Sequence, residues 1–211
     1  LKTGAPIIGL LDSAGLRLQE GTDALNAFAS IYAKEAEASG VIPQIAAVFG
    51  NCGGGLAVVA GMADFAFMAD DAKLFVNSPN ALAGNSEDKK DTAAAGFKAE
   101  AGAVDAHGTE EEVLAKIRAL VSILPSNNED EAAEECEDDL NRASANVAAG
   151  IADPAVAAAD LSDGNLFVET RAEYAKEMAT GFIKLNGETV GLIANRTASY
   201  DEKGETAAEF K

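Results

Sequence analysis

With 211 residues, 48% hydrophobic and 24% charged, the chain is long enough for one sizeable core, or for one domain and part of another. Its 16 basic and 35 acidic side chains leave a formal net charge of -19, and a surface that acidic repels nucleic acid and anionic membranes. Helicase, repressor and RNA-binding functions are excluded on that ground, and no apolar run reaches the roughly 18 residues of a membrane span or shows a signal-peptide pattern.

LKTGAP reads as a helix end running into a strand start. PIIGLLD (6–12) follows as a short apolar run after a proline, which predicts a buried parallel strand. The polar loop DSAGLRLQEG leads into a helix with Leu25, Phe28, Tyr32 and Ala36 on one face and Gly40 as its cap. IPQIAAVFG (42–50) predicts a second buried strand. The glycine triplet 53–55 then opens LAVVAGMA, a helix apolar on every side and so expected to be buried. DFAFMAD and KLFVNSP read as a third and a fourth strand, and the alternation is that of an α/β fold with a parallel sheet.

Residues 84–108 are rich in alanine, glycine and charge without a clear period, which predicts a mobile or partner-dependent loop. Thr109 with Glu112 forms a capping box for a helix carrying Val113, Ile117, Leu120, Val121 and Leu124, stopped by Pro125. The acidic stretch within 126–164 reads as a solvated linker or wrapping segment. Beyond it, ETRAEYAKEMATG predicts a helix, FIKL-NGE-TVGLIAN a β-hairpin turning at Asn186-Gly187, and TAAEF the opening of another helix. The chain starts at Leu1 rather than Met, and both ends read as cut elements, so a fragment is expected.

Gly53, Gly54 and Gly55 can take positive φ and let a ligand approach the backbone. A helix N-terminus there adds unpaired N–H groups and partial positive charge, a site for an oxyanion or a phosphate. A tight turn packed under another element explains the same glycines. No GKS or GKT follows, and the spacing is not GxGxxG. DSAGLR (12–17) ends a strand where α/β proteins bind ligands, so Asp12 and Ser13 either bind substrate or cap the next turn. Arg17 and Glu20 pair with each other or with a partner subunit. NSPN (77–80) is explained as an Asx-type turn, and His107 as a surface histidine near a helix start. Cys52 and Cys136 have no CxxC spacing and read as reduced thiols, Cys52 as a small buried side chain rather than a nucleophile.

PIIGLLDSAGLRLQEG, SGVIPQIAAVFGNCGGG and DFAFM, in that order, resemble the acyl-CoA carboxyltransferase family of biotin-dependent enzymes. The family pattern is a DSGGAR-like loop, an SGVIPQ strand and a CAGG turn. This chain departs from it at Ala14, Leu16 and Gly53, and with GNCGGG and NSPNA it looks most similar to glutaconyl-CoA decarboxylase α subunits. Glu100 stands where relatives often have histidine.

The resemblance implies a crotonase-like ββα superhelix: residues 1–165 as an N-terminally truncated first half and 166–211 as the start of a second. It implies carboxyl transfer between an acyl-CoA and biotin on a carrier protein, with the biotin not bound covalently to this chain and no metal required. The site would lie at a subunit interface of a homo-oligomer. Gly54 and Gly55 would be catalytic N–H donors to the thioester enolate, and Asp12, Ser13, Ala14, Gly15 and Gly53 would line the substrate. In this family biotin handles the proton, so no side-chain base is needed. A cytoplasmic location follows, peripheral to the inner membrane where a membrane decarboxylase subunit is the partner. The alternatives are a carboxyltransferase subunit of an acetyl- or propionyl-CoA carboxylase, a crotonase-fold hydratase or isomerase using Glu20 or Glu100, and an inert fragment with an assembly role.

Overall fold

The structure is a computed structural model that describes residues 1–13, 15–77, 90–130, 136–139, 141–200 and 205–210. It divides into two compact units, one of residues 1–118 with 126–130 and one of residues 119–125 with 131–211.

The first unit is built on parallel strands β1 (Ile7–Ser13), β2 (Gln44–Gly53), β3 (Phe65–Ala69), β4 (Lys73–Phe75) and β5 (Ala106–Gly108). They run in the order β1-β2-β3-β5, with β4 also on β2. Strand β2 changes partner along its length: Ile45 to Val48 pair with β3, and Asn51 to Gly53 pair with β4. The change of partner falls at Phe49-Gly50, and the register with β1 slips there too, from Leu11↔Val48 to Ser13↔Cys52. Gly50 permits it, because a Cβ at that position would overlap the Asp12 carboxylate.

Helix α1 (Thr22–Ala38) joins β1 to β2, and α2 (Gly55–Met62) joins β2 to β3. Small residues, Ala46, Ala57, Ala60, Ala66 and Ala69 among them, fill the core around Val48 and Met68, which lets α2 pack close to the sheet.

Several expectations need correction here. β1 is parallel as expected but not buried: Ile7, Ile8 and Leu10 are exposed, because among the described residues the strand is paired on one side only. The inward face of α1 is Ala24, Phe28, Tyr32 and Ala38, with Leu25 and Ala36 turned out, and the left-handed Gly40 follows the cap residue Ser39. Helix α2 is not buried all round, since Val58 and Met62 are exposed.

Residues 90–108 are ordered structure rather than loop, with α3 (Ala95–Glu100) and β5, and Ala93, Ala95, Ala99 and Val104 are buried. Residues 84–89 lie outside the described residues, as do Ser78, Pro79 and Asn80 of the NSPN turn.

Helix α4 (Glu110–Ile123) begins with the expected box: the Thr109 N–H donates to Glu112 Oε2 at 2.8 Å, and the Glu112 N–H donates to Thr109 Oγ1 at 3.3 Å. Val113, Ile117 and Leu120 are buried, together with Ile123.

The second unit holds α5 (Pro154–Leu161), the antiparallel sheet β6 (Phe167–Thr170), β7 (Met178–Leu185) and β8 (Glu188–Asn195), and the pair β9 (Ala198–Tyr200) and β10 (Thr206–Glu209). The hairpin turns at Asn186-Gly187 as expected, with φ of 54° and 80°. The helix expected over ETRAEYAKEMATG is instead the end of β6, a turn with positive φ at Arg171 and Ala175, and the start of β7. Pairing overrides local helix propensity here: Gly181 lies opposite Glu169, and the Thr170 and Thr180 hydroxyls bond across the strands.

TAAEF is likewise strand rather than helix, held against β9. The segment expected as linker contains α5, capped by Asp153, and Arg142, whose guanidinium holds Asp138 and the carbonyls of Asp160 and Ser162. Arg196 is buried, donating to Asp153 at 2.8 Å and to Glu169 at 2.9 Å.

Candidate active site at the ends of two parallel strands

β1 and β2 are neighbours and parallel, so their carboxyl ends bring the DSAG loop beside the glycine turn. Gly15 has φ +137°, and a Cβ on it would stand 3.7 Å from the Gly53 carbonyl oxygen. Gly54 has φ +62° and ψ -132°, and its Cβ would stand 4.0 Å from the Gly15 Cα. Neither backbone suits an L side chain. Gly53 closes β2, Gly54 makes the turn, and Gly55 is the first residue of α2.

The three turn residues differ in what their backbone groups do. The Gly54 N–H donates to the carbonyls of Phe75 at 3.1 Å and Val76 at 3.2 Å, continuing the β2–β4 ladder. The expected donor pair Gly54 and Gly55 is therefore unequal, with the first N–H committed inside the fold. Neither the Gly55 N–H nor the Gly15 N–H meets an acceptor among the described residues. The Gly55 N–H also heads a two-turn helix, whose dipole adds partial positive charge. The Gly55 carbonyl accepts from the Tyr32 hydroxyl at 2.8 Å. A Cβ on Gly55 would meet Tyr32 Oη at 2.7 Å and the Phe28 ring at 3.1 Å. Phe28 and Tyr32 stack with centroids 6.0 Å apart, so α1 forms a wall that fixes the turn.

Of the other expected site residues, Ser13 donates from Oγ to the Gly15 carbonyl at 3.3 Å, bracing the loop. Asp12 is exposed and lies over Gly50. Ala14 lies outside the described residues. Arg17 and Glu20 pair at 3.4 Å on the surface. Glu100 is exposed at the end of α3.

His107 sits in β5, its Nδ1 2.6 Å from Asp70 Oδ1 at the end of β3, two strands across the sheet from the glycines. Cys52 is fully buried, and burial pushes its thiol up to about 11, which leaves it protonated and unreactive at neutral pH. Cys52 and Cys136 are both free. Among the described residues no group of three His, Cys, Asp or Glu side chains is placed to hold a metal, and no helix is long and apolar enough to cross a membrane.

Sequence reasoning missed the roles of Tyr32, Gly50 and the Phe75 and Val76 carbonyls. The four-residue spacing of Phe28 and Tyr32 carried a signal, since it puts both rings on one helix face. It also missed an apolar cavity of about 660 Å³ under α1, lined by Ile7, Leu11, Ile31 and Ile42 among others, which none of the site glycines lines. Glu35 borders that cavity, and burial raises its carboxyl above the usual range.

A family model described as the carboxyl transferase domain matches residues 1–208. The chain is 33% identical to the propionyl-CoA carboxylase beta chain of Roseobacter denitrificans over 210 residues, covering 93% of this chain and 41% of that protein. It is 33% identical to the methylmalonyl-CoA decarboxylase subunit alpha of Propionigenium modestum over 214 residues, covering 92% and 40%. Among solved structures, transcarboxylase 12S with hydrolysed methylmalonyl-coenzyme A bound superposes with a TM-score of 0.82 at 26% identity, over 92% of this chain and 40% of that one. The chain thus spans about two fifths of the length of these relatives.

Proposed function

We propose, from the fact that the chain belongs to the acyl-CoA carboxyltransferase family of biotin-dependent enzymes, that it is part of an enzyme moving a carboxyl group between an acyl-CoA and biotin on a carrier protein. The observation that carries the site assignment is that the Gly15 and Gly55 N–H groups, at neighbouring strand ends, meet no acceptor among the described residues. Breaking the bond between an acyl α-carbon and its carboxylate leaves the electron pair on that carbon and, by delocalisation, negative charge on the thioester oxygen. The Gly55 N–H and the Gly15 N–H would receive that oxygen, each contributing about 3 kcal/mol by the precedent of other oxyanion holes. Gly54 holds the turn through Phe75 and Val76, and Tyr32 fixes the Gly55 peptide from its carbonyl side.

Biotin, when presented by its carrier, would supply the acceptor or donor of the carboxyl group. No residue of 166–211 is assigned to it, and the division into a first half, 1–165, and the start of a second belongs to the same reading. So do a homo-oligomer with the site at a subunit interface and a cytoplasmic location. The relatives' names support propionyl- or methylmalonyl-CoA as substrate. The glutaconyl-CoA reading rests on the departures at Ala14, Leu16 and Gly53 together with GNCGGG and NSPNA. A hydratase or isomerase gains no support, since Glu20 faces Arg17 and Glu100 is exposed.

The test is carboxyl transfer between acyl-CoA and free biotin by the full-length protein. Transfer that depends on biotin is expected. Hydration of enoyl-CoA without biotin, and no transfer, would overturn the reading.

A further inference from the structure

Tyr32 lies 23 residues from Gly55 in sequence, and its hydroxyl donates to the Gly55 carbonyl at 2.8 Å. That carbonyl belongs to the same peptide group as the Leu56 N–H. Leu56 is the second residue of α2. The N–H groups of a helix's first residues lack an intrahelical acceptor and point out of its N-terminal end. Gly55 and Leu56 therefore present their N–H groups at the same end of α2. Like the Gly55 N–H, the Leu56 N–H meets no acceptor among the described residues, whereas the Ala57 N–H donates to the Gly54 carbonyl at 3.2 Å. A hydrogen bond accepted by a peptide carbonyl draws electron density toward oxygen and makes the N–H of that peptide a stronger donor. The Tyr32 hydroxyl does this to the Gly55–Leu56 peptide.

We infer that the Leu56 N–H is a further donor to the thioester oxyanion, and that Tyr32 is a positioning residue that orients and strengthens this donor through the Gly55 carbonyl. The inference rests on the carboxyltransferase reading of the site and deepens it: the head of α2 supplies two neighbouring donors, and a side chain of α1 tunes one of them. Tyr32 keeps its proton throughout, so its loss weakens the site without abolishing it.

Encodable changes separate the parts. Leu56→Pro removes the N–H in the first turn of a helix, where proline is tolerated. Leu56→Ala is its control, because it removes a side chain packed against the core and keeps the N–H. Tyr32→Phe removes the hydroxyl and keeps the ring that stacks on Phe28.

The experiment uses the full-length protein and propionyl-CoA labelled with ¹³C at the thioester carbonyl. The infrared band of the bound carbonyl reads the donors without turnover, and carboxyl transfer to free biotin is read separately. The band is expected at lower frequency on wild type and Leu56→Ala than in solution, part-way back in Tyr32→Phe and further back in Leu56→Pro. With KM little changed, kcat should fall about two- to fivefold in Tyr32→Phe and about 10²–10³-fold in Leu56→Pro relative to Leu56→Ala. In the proline background, Tyr32→Phe should change kcat by less than about 1.5-fold, because the donor it strengthens is gone. A full Tyr32 effect in that background would overturn the route through Leu56. An unchanged band and kcat in Tyr32→Phe, a variant that keeps the apolar contacts of the ring, would overturn the inference whether or not the proline variant folds. The expected band shifts without carboxyl transfer in wild type keep the donors and sink the reaction, while transfer with a band indifferent to both changes sinks the inference alone.

Discussion

Gly54 and Gly55 are neighbours in sequence and opposites in hydrogen bonding. The first N–H is committed to Phe75 and Val76, and the second points at no acceptor among the described residues. Ordinary mutagenesis cannot separate them, because any Cβ on Gly55 strikes Tyr32 and any on Gly54 is strained at φ +62°. Replacing the amide by an ester at either position removes the N–H and adds no side chain. At Gly55 this is expected to lower kcat by about 10²–10³ with little change in unfolding midpoint. At Gly54 it should lower stability by roughly 0.5–1.5 kcal/mol through the lost backbone bonds. Equal kcat losses at the two positions would undo the assignment.

Cys52 gives a second residue-scale prediction. Its thiol is raised from an ordinary 9.0 to about 11 by burial. Between those values the unfolded chain loses the proton first, so stability is full below pH 9 and falls as pH rises toward 11, by at most ~1.4 kcal/mol per unit. Urea midpoints from pH 8 to 10.5 should fall more steeply for wild type than for Cys52→Ala, and parallel curves would contradict the burial argument.

Elements differed in how much of them the sequence exposed, and the difference has physical causes. β2 was legible over Ile45–Phe49 because the buried part of a parallel strand is a continuous apolar run, and the hairpin because Asn-Gly-like pairs readily supply two positive φ angles. The capping box was legible because both partners lie within four residues. What could not be read was set by distant partners or by small side chains. Ala95 and Ala99 are buried without the contrast that a period requires. The stretch around Ala175 has a helical composition but is folded by pairing between Thr170 and Thr180. The site glycines were legible as a set, whereas the division of labour between Gly54 and Gly55 depends on the Phe75 carbonyl, about 20 residues away.

Arg196 was invisible for the same reason, since Asp153 and Glu169 come from other elements. Its side chain is 6% exposed, with the carboxylates at 11% and 21%. Arg196→Leu leaves two largely buried charges without their partner and is expected to cost about 3–5 kcal/mol in denaturant unfolding. A loss below 1 kcal/mol would mean that the triad is as solvated as a surface pair.

At the scale of the whole molecule, charge acts against the fold. The net charge of -19 is spread over 211 residues, and 35 acidic groups have only 16 basic partners. Screening has opposite effects on the two kinds of interaction. It weakens surface attractions such as Arg17–Glu20 and Lys34–Glu37, which are worth little in water to begin with. It also weakens the repulsion among the unmatched carboxylates, which is longer in range and favours the expanded chain. The Debye length is about 30 Å at 0.01 M salt and about 8 Å at 0.15 M, so most of the repulsion between distant carboxylates is removed over that interval. The buried Arg196 pairs are shielded from salt by their surroundings and should change little. The expected net result is a urea midpoint that rises as NaCl goes from 0.01 to 0.3 M and then levels off. A midpoint that falls over the same range would show instead that attraction between surface ion pairs outweighs repulsion among the unmatched carboxylates.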